Sequence, residues 1–151
     1  MNSTRHRWLV VDDDRPLLRM TADSLRTVPG ADVTACPSPQ LALDAFLADP
    51  SAFDLVVTDF KMPGMDGVEL VRRLRQHSSR FKALLVTGTP LHEAAAQPGE
   101  LQALLPKPFS RTALLGTVQK ILGGDEDGRI LPRDTDRADD LRSGADTVNA
   151  R

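Results

Sequence analysis

The sequence is poor in several residue types, and each shortage argues against a class of protein. Cys36 is the only cysteine among the 151 residues, so neither an internal disulfide nor a site of several thiolates can form. Tyrosine is absent and aromatic residues make up 4% of the chain, too few for a surface that stacks the bases of single-stranded nucleic acid. The net charge of -2 provides no general attraction to nucleic acid or to anionic membranes.

Long apolar stretches are also missing. No segment approaches the roughly 20 apolar residues that a membrane-spanning helix needs. Near the N-terminus only four consecutive apolar residues, Trp8–Val11, precede a run of acids, too few for a signal peptide. Together with the single cysteine, this pattern predicts a cytoplasmic protein that contacts neither membrane nor nucleic acid directly.

Short apolar runs that end in polar residues recur along the chain. Runs of this kind are typical of strands that are buried on both faces, as in a parallel sheet. The last run stops just before Pro106, and a proline is tolerated there if this strand lies at the edge of the sheet. The predicted strands are Trp8–Val11, Ala31–Cys36, Phe53–Thr58, Ala83–Thr87 and Ala103–Leu105.

Helical patterns separate these strands. The first is expected to turn Met20 inward and the second Leu41, whereas the Arg72–Arg75 run is expected to form a solvated face. Strand and helix alternate five times, which predicts an α/β fold with a doubly wound parallel sheet and helices on both faces. The predicted helices are Pro16–Thr27, a helix capped by Ser38, a helix from Asp66 to about His77, the brief stretch Leu91–Ala96, and a helix capped by Ser110.

The composition changes near residue 123. We expect one domain over residues 1–122, followed by a tail over 123–151 that is rich in aspartate, arginine and glycine. Because the apolar residues of this tail show no sustained period, we predict that it is disordered or loosely docked. A short helix around Arg137–Arg142 is an open alternative.

Polar residues follow four of the predicted strands. In an open parallel sheet, ligands bind beyond the carboxyl ends of the strands, so these residues are expected to meet at one edge. Several carboxylates in one small site repel one another, which suggests a resident cation. The donors are all oxygens, and two or three acids suit Mg²⁺ better than Ca²⁺. The residues are Asp12, Asp13 and Asp14, then Asp59, then Thr87, then Lys107.

The remaining groups of the predicted site suit a phosphoryl group. Lys107 offers a compact positive charge, Thr87 a hydroxyl, and Gly88 allows close approach of the backbone. Phosphoryl transfer depends mainly on positioning and on charge stabilisation. A carboxylate such as that of Asp59 can be the nucleophile, which would give an aspartyl phosphate.

Four stretches, WLVVDDD, VVTDFKMPGMDG, LLVTG and PKPF, resemble in order and spacing the signature stretches of response-regulator receiver domains. The resemblance covers roughly residues 7–122. It implies a flavodoxin-like sheet of five parallel strands in the order 2-1-3-4-5. It also implies a two-component phosphorelay, in which a histidine kinase or phosphotransfer protein phosphorylates Asp59 and an unknown downstream protein responds.

The resemblance assigns roles to the residues at the site. Asp59 matches the phosphoacceptor, with Lys107 and Thr87 assisting, and the only reactions are self-phosphorylation and self-dephosphorylation, so the chain would not be an enzyme in the usual sense. The Lys107–Pro108 peptide bond is expected to be cis. The implied ligands of Mg²⁺ are Asp13, Asp59, the backbone carbonyl of Lys61 and, through a water, Asp12.

Two features depart from the family pattern. Leu104 stands where receivers usually carry Tyr, Phe or His, so it offers no ring for the usual rotamer coupling. The interval from Thr87 to Lys107 is slightly short, which predicts a reduced or mobile fourth helix. We also hypothesise that the side chain of Lys61 approaches the phosphoryl oxygens and alters the lifetime of the aspartyl phosphate.

Two other functions stay open on the sequence alone. The first is a receiver-like interaction module that acts without phosphorylation, an alternative that Leu104 keeps open. The second is an aspartate-based phosphohydrolase. Enzymes of that kind place a second acid two residues after the nucleophile, where this sequence has Lys61.

Overall fold

The computed structural model describes residues 5–89, 97 and 99–123. Within these ranges the chain forms five strands and four helices, which alternate except that the last two strands follow one another among the described elements. The predicted stretch Leu91–Ala96, and the predicted tail beyond residue 123 with its alternative helix, lie outside the described residues. The elements are β1 (His6–Val11), α1 (Arg15–Arg26), β2 (Ala31–Cys36), α2 (Pro39–Leu47), β3 (Phe53–Asp59), α3 (Gly67–Arg75), β4 (Lys82–Thr87), β5 (Ala103–Pro106) and α4 (Arg111–Ile121).

The five strands form one parallel sheet in the order β2-β1-β3-β4-β5, which confirms the predicted fold. β5 lies at one edge, and its last residue, Pro106, pairs with Thr87. The edge position accommodates the proline because its missing N–H has no second neighbouring strand to bond.

Helices cover both faces of the sheet, and alternate residues of each central strand enter two separate cores. On one face, Trp8 and Val10 of β1 pack in the same core as residues of α1 and α4. On the other face, Leu9 and Val11 pack with residues of α2 and α3. Burial on both faces explains the continuous apolar runs in the sequence.

A side-chain oxygen caps the N-terminus of each described helix. The capping residues are Asp14, Ser38, Asp66 and Ser110, and each accepts a hydrogen bond from the backbone N–H three residues later. Caps of this kind satisfy donors that have no partner within the helix. The cap at Asp14 begins α1 at Arg15, immediately after the acids that follow β1.

Two expectations for side chains on the helices were wrong, and a third holds in part. Met20 and Leu41 are 45% and 49% exposed, so they face outward. In the predicted solvated face, the side chains of Arg72 and Arg73 are 41% and 52% exposed, whereas Arg75 is partly buried. Arg72 is bound to Glu100 in an ion pair with an Nε–Oε2 distance of 2.5 Å. The guanidinium of Arg75 lies 4.1 Å above the ring of Phe81. None of the helices in the described ranges combines the length and the apolarity that crossing a bilayer requires.

Candidate functional site

The strand order determines which side chains can meet. β1, β3, β4 and β5 are consecutive neighbours in a parallel sheet, so their carboxyl ends lie at the same edge. After β1 the chain continues to β2, on one side of β1, and after β3 it continues to β4, on the opposite side of the sheet. The two connections diverge, which opens a crevice between the ends of β1 and β3. Asp12 follows β1, Asp59 ends β3, and Lys107 follows β5.

Three carboxylates converge at this edge. One oxygen from each of Asp12, Asp13 and Asp59 lies within 4.8 Å of the others. Asp12 and Asp59 are buried, with 4% and 7% of their surface exposed, whereas Asp13 is exposed to solvent. Among the described residues, this is the only cluster of acids, histidines or cysteines with the spacing of a metal site.

Lys107 places its ammonium group against two of these acids. Its Nζ lies 2.8 Å from Oδ1 of Asp59 and 3.8 Å from Oδ2 of Asp12. The backbone N–H of Lys107 donates to the carbonyl of Thr87 over 2.9 Å, which continues the β4–β5 pairing up to the site. The Lys107–Pro108 peptide bond is cis, as expected.

Burial changes the acidity of Asp12. Desolvation raises the pKa of its carboxyl from 3.8 to about 6, and the negative charge of Asp59 acts in the same direction. The backbone N–H of Asp14, which donates to Oδ1 of Asp12 over 2.9 Å, and the charge of Lys107 oppose this increase. One ammonium group therefore compensates only part of the negative charge, and the site favours a further cation.

Thr87 is buried beside the acids at the end of β4. In the register of the sheet it follows Val86, which pairs with Asp59. Its Oγ accepts a hydrogen bond of 2.8 Å from the backbone N–H of Thr89. Because a hydroxyl both accepts and donates, this bond orients Thr87 and leaves its O–H free to donate to an incoming group.

The donor set fits Mg²⁺. Carboxylates and a carbonyl are hard oxygen ligands, and Mg²⁺ binds through one or two carboxylates together with waters and phosphate oxygens. Asp13, Asp59 and the carbonyl of Lys61 could bind the ion directly, and Asp12 through a water. Lys61 is exposed and lies two residues beyond Asp59, in the loop that leads to α3.

Sequence reasoning missed one residue at this site, Gly67. Its N–H donates to the carbonyl of Phe60 over 2.7 Å, and a Cβ here would overlap the backbone oxygen of Asp59. The absent side chain therefore lets the start of α3 lie directly against the end of β3. A signal was available, since glycine is a poor helix former and here directly follows the capping residue Asp66.

A doubly wound sheet of this order, with three aspartates and a lysine at the carboxyl ends of β1, β3 and β5, is the arrangement of a receiver domain. The sequence matches the response regulator receiver domain family over residues 8–119. The chain therefore belongs to the response regulator receiver domain family.

Individual relatives agree with this assignment. The chain is 32% identical over 123 residues to the transcriptional regulatory protein FixJ of Bradyrhizobium diazoefficiens, which covers 80% of this chain and 58% of that protein. It is 37% identical over 111 residues to a response regulator receiver protein of Anaeromyxobacter, which covers 72% of this chain and 45% of the relative. The chain thus spans about half the length of these curated relatives.

A solved structure shares the fold over most of the chain. It is the signal receiver domain of an HD domain-containing protein from Pseudomonas fluorescens, with a TM-score of 0.72 and 25% sequence identity. The match covers 85% of this chain and 95% of that structure.

Proposed function

We propose that this chain receives a phosphoryl group on Asp59 from the phosphohistidine of a histidine kinase or phosphotransfer protein, with Mg²⁺ as cofactor. The modified domain then presents a changed surface to a downstream protein. One observation carries the proposal: the ammonium of Lys107 lies 2.8 Å from the carboxylate of Asp59, beside Asp12 and Asp13.

Asp59 is the nucleophile in this proposal. One of its carboxylate oxygens forms a bond to phosphorus while the bond between phosphorus and the donor imidazole nitrogen breaks, and the electron pair of that bond stays with the imidazole. Lys107 and the hydroxyl of Thr87 stabilise the negative charge on the transferring oxygens. Both groups are held by the ends of β4 and β5, so little rearrangement is needed during the transfer.

The neighbouring acids explain the need for a metal ion. Asp12 and Asp13 would repel a phosphoryl group if their charges were uncompensated. Mg²⁺ held by Asp13, Asp59, the carbonyl of Lys61 and, through a water, Asp12 would neutralise this charge and bind a phosphoryl oxygen. We assign the reaction to the cytoplasm, in keeping with the sequence, whose single cysteine, Cys36, is buried.

The test is adduct formation with a small phosphodonor. The protein is incubated with acetyl phosphate and Mg²⁺, and its intact mass is measured. We expect a single phosphoryl adduct that is absent when a chelator removes the Mg²⁺ and absent in Asp59→Asn. Asp23→Asn is the matched control, because Asp23 is an exposed acid on α1 whose ion-pair partner is Arg26.

Two results would contradict the proposal. Wild-type protein that gains no phosphoryl group under these conditions would favour an interaction module that acts without phosphorylation. Repeated hydrolysis of a phosphoester, with many turnovers per protein molecule, would favour a phosphohydrolase.

A further inference from the structure

We infer that contacts between the C-terminal end of α3 and the chain just before β5 position Lys107 at the site, and that Gln102 is the central positioning residue. We call this set of contacts the β5 anchor, and it comprises Arg75, Gln102, the backbone of Ala83 and the backbone of Glu100. The inference deepens the proposed function and rests on it for the role of Lys107.

β5 needs an additional restraint because the strand itself is weakly held. It has four residues, fewer than any other strand of the sheet, and it pairs only with β4. Its last residue, Pro106, has no N–H to donate. Yet this strand leads directly to Lys107, whose Nζ must lie within hydrogen-bonding distance of Asp59.

The register of β5 determines where Lys107 lies. A shift of two residues keeps each side chain on its own face but moves the backbone by about 6.6 Å. Such a shift is more than twice the 2.8 Å separation between Nζ of Lys107 and Oδ1 of Asp59. The position of the ammonium is therefore sensitive to how the start of β5 is fixed.

Gln102 fixes that start through both its backbone and its side chain. Its N–H donates to the carbonyl of Ala83 over 2.9 Å. Its side-chain Oε1 accepts from the N–H of Ala83 over 2.7 Å. One residue thus satisfies both backbone groups of Ala83 and lengthens the ladder beyond the pair of Leu84 with Ala103.

Arg75 joins this pair to α3. Its guanidinium donates to Oε1 of Gln102 over 3.2 Å and to the carbonyl of Glu100 over 3.2 Å. The same group donates to the carbonyl of Phe81, just before β4, over 2.8 Å. A single planar side chain therefore spans the starts of both strands, a geometry that suits the several fixed donors of arginine.

The other end of α3 contacts the phosphoacceptor strand. Gly67, at the first turn of α3, donates to the carbonyl of Phe60 and lies against the backbone of Asp59. The two ends of this nine-residue helix therefore touch the strand of Asp59 and the approach to the strand of Lys107. α3 therefore links the strand of the nucleophile to the start of the strand that leads to the ammonium, in addition to the β4–β5 ladder.

A positioning role can be separated from a general effect on stability. The proposed Mg²⁺ ligands lie just after β1, at the end of β3 and in the loop after β3, and none of them belongs to β5. Weakening the β5 anchor should therefore slow phosphoryl transfer without weakening the binding of Mg²⁺, because a displaced ammonium competes less with the ion for Asp59 and Asp12. Loss of overall folding would instead reduce both.

The test compares Gln102→Leu with Gln102→Glu, which keeps the acceptor oxygen for Ala83 and Arg75. Two readouts are backbone amide hydrogen exchange and the initial rate of adduct formation with acetyl phosphate. A third is the Kd for Mg²⁺ by calorimetry. In Gln102→Leu we expect exchange at the Lys107 amide to rise and the adduct rate to fall, each by roughly 3- to 10-fold, as for the loss of one hydrogen bond. The Kd for Mg²⁺ in Gln102→Leu should not rise by more than about twofold, and Gln102→Glu should behave like the wild type.

Arg75→Gln and Arg73→Gln form a second matched pair. Arg73 lies on the same helix, is exposed, and donates to Glu69 within α3. Arg75→Gln should reproduce the effect of Gln102→Leu, and Arg73→Gln should not.

Two outcomes would overturn the inference. The first is an unchanged exchange rate at Lys107 in both Gln102→Leu and Arg75→Gln. The second is an equal acceleration at the Asp12 amide, which donates to Cys36 on the far side of the sheet and reports overall opening. If the wild type forms no adduct at all, the proposed function fails, and the exchange data still decide whether the β5 anchor holds Lys107.

Discussion

Replacement of Lys107 by methionine should change the two activities of the site in opposite directions. Methionine keeps most of the volume of the side chain and removes its charge. The ammonium now competes with any cation for Asp59 and Asp12, at 2.8 and 3.8 Å from their oxygens. Without it, Mg²⁺ should bind more tightly, whereas the phosphoryl group loses one of the positive charges that stabilise its oxygens.

The size of the gain in Mg²⁺ affinity follows from the geometry. The ammonium of Lys107 repels a cation bound at the acids. Two like unit charges about 4 Å apart repel each other by about 4 kcal/mol at an effective dielectric constant of 20. The side chain of Lys107 is 24% exposed, so solvent and salt reduce this repulsion. We therefore expect binding of Mg²⁺ to improve by about 1–2 kcal/mol, which is ~5- to 30-fold in Kd. The rate of adduct formation should fall by about 100-fold, the effect of losing one preorganised donor.

Calorimetric titration with Mg²⁺ at low ionic strength and mass spectrometry of the adduct measure the two effects on one preparation. Lys82→Met is the control, because Lys82 is an exposed lysine at the start of β4, the opposite end of the strand from the site. Weaker or unchanged Mg²⁺ binding in Lys107→Met would refute the electrostatic reasoning. An adduct rate equal to that of the wild type would show that the ammonium does not act on the phosphoryl group.

Three further predictions concern the acids, the helix contact and the exposed lysine. Because burial raises the pKa of Asp12 to about 6 in the folded protein, the folded state binds this proton more tightly than the unfolded state, so stability falls as the pH rises from about 4 through 6. The free energy of unfolding is measured in urea, with the fluorescence of the single tryptophan as the signal. Without metal, the stability of Asp12→Asn relative to that of the wild type should increase by about 3 kcal/mol across this pH range. Saturating Mg²⁺ should reduce the difference between the two proteins at pH 7. Gly67→Ala should lower stability by about 1–3 kcal/mol, because the added methyl group would overlap the backbone of Asp59. The control is Gly116→Ala, which lies in a helix with open space around it and should raise stability by about 1 kcal/mol. Lys61→Ala should shorten the lifetime of the aspartyl phosphate about threefold by admitting water, and an unchanged rate of dephosphorylation would contradict this role.

The strands and the position of the acids at their carboxyl ends were predictable because both depend on local patterns, whereas the strand order was implied by the resemblance to receiver domains. An apolar run such as Trp8–Val11 can be buried on both faces only in the middle of a layered fold, so it identifies a central strand. An acid immediately after such a run must lie at the carboxyl end of that strand. The arrangement of Asp12 and Asp59 follows from these two facts and from the parallel direction of the strands.

Contacts between remote parts of the chain were not predictable in the same way. Arg72 and Glu100 are separated by 28 residues, and Arg75 and Gln102 by 27. A helical pattern near the arginines shows only that they do not enter the apolar core, and it does not reveal which polar groups lie beside them. The inward assignment of Met20 failed for a related reason, since an apolar residue at the border of the buried stripe can face either way.

Leu104 occupies the position where receivers usually carry an aromatic residue, and the structure shows what it contacts instead. It is partly buried and packs against a small core of Phe60, Val68 and Leu85. Phe60 directly follows Asp59, the last residue of β3, and Val68 follows Gly67, which lies against the backbone of Asp59. The leucine therefore has apolar contacts that include residues next to the site, although it has no ring to exchange between two rotamers. We expect this packing to carry part of any signal that passes from Asp59 to the edge of the sheet.

The charges at the site explain why neither a metal ion alone nor Lys107 alone would neutralise both the carboxylates and an incoming phosphoryl group. When all are ionised, the carboxylates of Asp12, Asp13 and Asp59 exceed the single ammonium of Lys107 by two negative charges, and burial makes this excess costly. A divalent cation can neutralise the excess, but Lys107 must still meet the charge that arrives with the phosphoryl group. Because the proposed metal ligands lie at the ends of β1 and β3 or in the loops that follow them, and the ammonium follows β5, the two positive charges would be held by different parts of the sheet. Under the proposed function, the domain would therefore bind its cation before phosphorylation and adjust the lysine separately, through the contacts that fix the edge strand.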